Sequence, residues 1–205
     1  MRRFVMFAAA MLAALTLSGC ATGFLLDNQV QTFSHLTAVP APATYRFDRL
    51  PSQNVDPAQT ALEDLADPAL FQVGFRRDDT APRYAVQVTA RTQRTLSPYA
   101  DPWDYGGFGG GWSISGGRRG FGIGIGGGGL FPRMDQPWFH REVSVVVREL
   151  SSNQVVYETR AINDGPWLDN RAILPRMFEA AMQGFPNPPA GPRLVNIQVV
   201  PPAGS

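Results

Sequence analysis

The chain contains no lysine, and each of its 18 basic residues is an arginine. A Walker-type phosphate loop needs a lysine ammonium over the β and γ phosphates, and Schiff-base chemistry needs a lysine amine, so both are excluded. Cysteine occurs once, at Cys20. A single cysteine leaves no internal disulfide, iron-sulfur cluster or multi-cysteine zinc site, and the folded domain must rely on its apolar core. Histidine occurs only at His35 and His140, in no H-E-x-x-H or other short ligand spacing, so no metal ligand set is expected. The apolar stretch from Phe4 to Leu17 is too short for a membrane-spanning helix.

That stretch follows Arg2 and Arg3 and precedes Leu17-Ser18-Gly19-Cys20, the layout of an export signal. Leu-Ser-Gly-Cys also resembles the lipobox of bacterial lipoproteins. The resemblance implies that residues 1–19 are a lipoprotein signal peptide, removed before Cys20. In that family the thiol, here that of Cys20, is diacylated first, the signal is cut just before it, and the new amino group is acylated. The competing reading is a plain signal peptide with an incidental cysteine. Two or three chains, at about 0.8 kcal/mol per buried methylene, anchor a protein without spanning the bilayer. Ala21 resembles the outer-membrane sorting pattern rather than the aspartate that retains lipoproteins on the inner membrane. The expected location is therefore the outer membrane, facing the periplasm.

Without residues 1–19 the chain carries 16 arginines against 17 acidic residues, which is no electrostatic footprint for nucleic acid. The rest reads as a lipidated tether over 20–28, one α+β domain over 29–186 and a Pro-rich tail over 187–205. A Gly-rich, flexible insert occupies 100–136 and interrupts the domain. Strands are expected where residues alternate with period two: at Val30 and Thr32, at Tyr45 and Phe47, and at Tyr84, Val86, Val88 and Ala90. "WFHREVSVVVREL" and "QVVYETRAI", joined through Ser151, Ser152 and Asn153, predict an antiparallel hairpin. Asp56 and Pro57 cap and open a helix bearing Leu62, Leu65, Ala66 and Ala69, in which Pro68 forces a kink or a restart and Gly74 is the stop. A second helix, from about Ile173 with Pro175 in its first turn, carries Leu174, Met177, Phe178, Ala181 and Met182, and Gly184 ends it. Leu194 to Val200 offers a further short strand. The expected fold class is α+β: two layers, a mainly antiparallel sheet covered by two helices.

These stretches resemble a group of bacterial lipoproteins, domain-of-unknown-function family 4136. The resemblance rests on the lipobox, "YRFDRLP", the helix ending in "VGF" before "RYAVQVTAR", the hairpin "VSVVVRELSSNQVVYETRA" and the helix closing in "GFP". It implies an envelope lipoprotein and provides no catalytic residues to transfer.

The insert holds 14 of the 21 glycines between Asp104 and Phe131. Gly122, Gly124 and Gly127 spell G-x-G-x-x-G, but no helix opens after Gly127, so no nucleotide or other cofactor is expected. "GWSISG" misses the nucleophile-elbow pattern around Ser113, because position 115 is serine. Asp78 with Asp79, and Asp101 with Asp104, are the carboxylate pairs available for glycan cleavage, and their settings read as charged turns. Trp103, Tyr105, Phe108, Trp112, Arg118, Arg119 and Phe121 supply stacking and cation-π groups for lipid, peptidoglycan or an envelope protein. The insert is either that contact surface or slack. The sequence thus favours a non-enzymatic binding or scaffolding module, with a cryptic envelope hydrolase acting on glycan or lipid as the alternative.

Overall fold

Alternating burial along the long strands sets which face of each becomes core. The computed structural model describes residues 23–99, 112–117, 120–125 and 137–199, the two short middle stretches by backbone alone. In chain order it contains β1 (Phe24–Ser34), β2 (Thr44–Phe47), α1 (Pro57–Gln72), β3 (Arg76–Arg77), β4 (Tyr84–Thr95), β5 (Trp112–Gly117), β6 (Gly120–Ile125), β7 (Trp138–Glu149), β8 (Val155–Gly165), α2 (Asn170–Met182) and β9 (Arg193–Val199). Seven strands form one sheet in the order β3-β2-β4-β7-β8-β1-β9. All neighbours are antiparallel except β2, which runs parallel to β3 and β4. Both helices pack against one face, giving the two-layer α+β architecture. Leu26 and Val30 from β1, Val143, Val145 and Val147 from β7, and Met177 and Phe178 from α2 meet in its core.

The expected hairpin forms between β7 and β8, with Asn153 at φ 57° in its turn and a register shift after Val147. Within the insert, β5 and β6 pair antiparallel, Trp112 opposite Ile125 and Gly117 opposite Gly120.

Two boundaries differ from the sequence reading. The stretch assigned to the tether is already strand from Phe24, and the short strand expected within the tail forms as β9 and belongs to the domain's sheet. These two segments pair with each other, Phe24 opposite Val199 through to Val30 opposite Arg193. Each would leave a row of unpaired amides and carbonyls alone; together they complete the sheet.

α1 starts where Asp56 accepts a hydrogen bond from Ala58 N (2.8 Å). It runs through Pro68 without restarting. Its end is a Schellman motif: Gly74, at φ +104°, donates to Phe71 O and Phe75 to Leu70 O. The second helix begins three residues earlier than expected, because Asp169 accepts from Arg171 N (2.9 Å) and caps it at Asn170. Pro175 therefore lies beyond the first turn, leaving the Arg171 carbonyl without its helical donor.

Glu63, which lies on α1 and is fully buried, accepts both arms of Arg49, Nε at 2.7 Å, and Gln59 Nε2 at 3.1 Å. Removing the arginine charge strands a buried carboxylate. Arg49→Met is expected to cost about 3 kcal/mol and to lower Tm by about 6 to 12 °C; a thermal melt at neutral pH reads it.

Burial also pushes the Tyr157 hydroxyl up to about 12 and raises Tyr45 and Tyr84. For Tyr45 the hydrogen bond to Asp67 adds to burial. Folded values above the unfolded value mean that the neutral forms stabilise the fold fully below about pH 10. That contribution is lost as pH rises towards 12, about 2 to 3 kcal/mol for Tyr157 alone. Urea midpoints should fall over that window, and less steeply in Tyr157→Phe.

Candidate functional site

One end of the sheet collects the start of β1, the end of β9, the end of β8, the start of β7 and the end of β4. The terminal pairs are Phe24 with Val199, Gly165 with Phe139, and Thr95 with Trp138. The chain enters the fold here, and the Gly-rich insert both leaves and returns here. Two aromatic pairs stand at the same rim. Phe24 stacks on Trp167 (centroids 3.7 Å apart, 18° between planes), and Tyr99 meets Trp138 edge-on at 5.8 Å. Leu25 (56% exposed), Leu96 (65%), Tyr99 (85%) and Leu168 (73%) face solvent around them.

Beneath the rim lies a row of buried polar side chains. Arg141 on β7 sits directly opposite Asn163 on β8, and Asn28 occupies the core face of β1. The Arg141 guanidinium is fully buried. It donates through Nε to Asn170 Oδ1 (2.8 Å) and through one terminal nitrogen to the Trp167 carbonyl. Among the described residues its other terminal nitrogen has no partner, and neither does Oδ1 of Asn28 or of Asn163. Burial lowers the Arg141 pKa from its ordinary value. Asn163 Nδ2 donates to Asp27 O (2.8 Å), and Asn28 Nδ2 to Leu26 O (3.1 Å) and Val195 O (3.2 Å). Together these bonds tie β1, β8, β9 and the turn into α2 to one another. Arg141 holds that turn from below, while Gly165 leaves room above: a Cβ there would come within 2.9 Å of the Trp167 ring. The orientation of Trp167 at the rim is thus built into the core.

Sequence reasoning passed over Arg141, although the signal was present. In "REVSVVV" the arginine stands two residues before Val143 and in register with Val145 and Val147, on the inward face.

Of the residues singled out from sequence, Cys20, Trp103, Tyr105, Phe108, Arg118 and Arg119 lie outside the described residues, as do Asp101, Asp104 and Gly127. Trp112 and Phe121 are placed by backbone alone, in β5 and β6. Ser113, Gly122 and Gly124 lie within the same ladder, Ser113 opposite Gly124 and Gly122 opposite Ser115. Asp78 Oδ1 accepts from Thr80 N (2.9 Å) and Ala81 N (3.0 Å), an Asx turn, and Asp79 pairs with Arg77 at 3.4 Å. His140 projects from the open face of the sheet with Nδ1 2.8 Å from Asp164 Oδ1. His35 borders a cleft of about 420 Å³ with Phe33, Asn187 and Pro188. Among the described residues, no group of three or more His, Cys, Asp or Glu is arranged to hold a metal ion, and no helix is long and apolar enough to cross a membrane.

No curated protein matches the chain. Among solved structures it is similar to a single-substitution variant of the PelC dodecamer from Paraburkholderia phytofirmans, at 12% identity and TM-score 0.42, covering 76% of this chain and 94% of that one. The PelC dodecamer in another crystal form gives 10% identity and TM-score 0.44 over the same shares. A PDZ domain protein from Parabacteroides distasonis gives 12% identity and TM-score 0.48, covering 92% of this chain and 42% of that one. A family model matches residues 29–187, from within β1 through both helices, and the chain belongs to the family it describes, Domain of unknown function (DUF4136).

Proposed function

We propose that this protein is a lipid-anchored lipoprotein of the bacterial envelope, held through Cys20 at the periplasmic face of the outer membrane, where its α+β domain binds or scaffolds another envelope component without catalysing a reaction. The observation that carries the reading is the spacing between the lipobox cysteine and the fold. Phe24, the first residue of β1, follows Cys20 by four positions, and β1 lies inside the sheet between β8 and β9. Four steps of extended chain reach at most about 14 Å, so acyl chains on Cys20 would hold the sheet itself close to the lipid surface. A protein or glycan partner would then meet a domain presented at a fixed end.

Support for a binding role comes from what the charged groups do. Glu63 is committed to Arg49 and Gln59, Asp78 to its own turn, and Arg141 to the turn before α2. The hydrolase alternative rests on the His140–Asp164 pair, whose facing residue on β4 is Gln93, an amide rather than a nucleophile. Globomycin treatment tests the anchoring. It should block signal removal, so that a full-length precursor accumulates; normal processing in its presence would sink the proposal. Crosslinking of the native lipoprotein, read by mass spectrometry, should then identify the partner.

A further inference from the structure

The Cys20 anchor would reach the domain at the rim that carries the Phe24–Trp167 and Tyr99–Trp138 pairs, and on that anchored reading the rim has a natural occupant. We infer that the end of the sheet formed by Leu25, Leu96, Tyr99, Trp138, Trp167 and Leu168 seats in the headgroup region of the bilayer that carries the lipid, so that the domain is docked in a fixed orientation rather than only tethered.

Three independent observations converge on this surface. First, the chain leading to Cys20 emerges at this end: Phe24 is the terminal residue of β1 and stacks on Trp167. Second, tryptophan is distributed unevenly. The chain has four, and Trp138 and Trp167 stand at the rim while Trp103 and Trp112 fall in the segment between Thr95 and Trp138, which departs from and rejoins the same rim. Tryptophan and tyrosine, with an apolar ring and a polar edge, are the side chains that accumulate at the membrane–water interface. Third, the charge here is mixed. Arg94 and Arg171 are exposed beside Asp27, Asp164 and Asp169, so seating relies on apolar and aromatic contact rather than on attraction to anionic lipid. The buried clamp of Arg141 on the Trp167 carbonyl holds the turn that carries the ring at this end of the sheet.

The test uses the mature lipoprotein carrying Trp103→Phe and Trp112→Phe, which leaves Trp138 and Trp167 as reporters. It is reconstituted into vesicles of phosphatidylethanolamine and phosphatidylglycerol, with or without phosphatidylcholine brominated near the headgroup. Tryptophan emission is expected to fall about two-fold with the brominated lipid and to change little with salt. Adding Leu96→Glu and Leu168→Glu, both solvent-facing, should remove the quenching while the protein stays with the vesicles through its lipid. Equal emission in the two vesicle types, or quenching untouched by the two glutamates, would overturn the inference. Loss of the unsubstituted protein from membranes on alkaline carbonate washing would instead refute the anchoring reading, so the two failures are distinguishable. Near-UV circular dichroism of the glutamate variant verifies its fold, and the quenching of the reporter protein stands without it.

Discussion

Cys20→Ala is expected to abolish incorporation of labelled palmitate and to remove the protein from the outer-membrane fraction, the largest effect expected of any single substitution. The reason lies in the number of chains. Each buried methylene contributes about 0.8 kcal/mol, one chain holds a protein only marginally, and two or three make release negligible. No other cysteine exists to take the thioether, so no residual labelling is expected. In the lipobox scheme acylation precedes cleavage. The variant should therefore keep residues 1–19 and migrate as the longer precursor. The decisive readouts are the label and the outer-membrane fraction, because an uncleaved apolar signal by itself associates with the inner membrane. A labelled, outer-membrane Cys20→Ala protein would show that the lipobox resemblance is incidental.

Truncation of Arg141 is expected to be the most damaging change inside the fold. Arg141→Ala deletes a wholly buried side chain and orphans the Trp167 carbonyl. The cavity left by the stem and the lost hydrogen bonds, net of the relief from removing the buried charge, cost about 3 to 4 kcal/mol, a fall in Tm of about 6 to 16 °C. The arginine is a buried cation without a carboxylate among the described residues, so its charge is itself a burden. Arg141→Met separates the two contributions. Methionine keeps most of the stem and removes the desolvated charge, and relief of that penalty offsets the lost bonds, so stability should stay within about 1 kcal/mol of the parent. Arg141→Lys is expected to behave closer to alanine than to methionine, because an ammonium keeps the charge without the planar fork that reaches both Asn170 and Trp167. If methionine proves as damaging as alanine, the hydrogen bonds rather than the stem hold the turn. In the alanine variant Trp167 emission should shift to longer wavelength as the ring is released from Phe24.

Much of the fold was legible in the chain because it depends on local chemistry. Alternation at Tyr84, Val86 and Val88 announces a half-buried strand wherever it occurs. Asp56-Pro57 opens a helix and Gly74 closes one whatever the neighbours are. Serines and an asparagine between two apolar alternations make a hairpin. The family resemblance followed from the same stretches. The candidate site was less legible. The aromatics of the insert drew attention by their composition, whereas the rim formed by Phe24, Tyr99, Trp138 and Trp167 comes from four segments far apart in sequence and exists only where their strands end together.

What the sequence determined by itself was therefore the longer elements of the sheet and both helices, though not β3, β5 or β6, together with the α+β class and the absence of lysine and paired-cysteine chemistry. What only the tertiary structure decided was how far the sheet extends and what lies under its edge. Leu25 to Asn28 resembled a tether, and the short strand at Leu194 to Val200 had no place in the domain, until the two were paired, because a backbone ladder satisfies each strand only through the other. Arg141 looked like one more charged strand residue until the register with Asn163 and the bond to Asn170 at the start of α2 placed it, fully buried, beneath Trp167. Alternation along one strand states which face a side chain occupies, but whether that face is covered depends on elements distant in sequence, and so the core position of an arginine is a property of the assembled sheet.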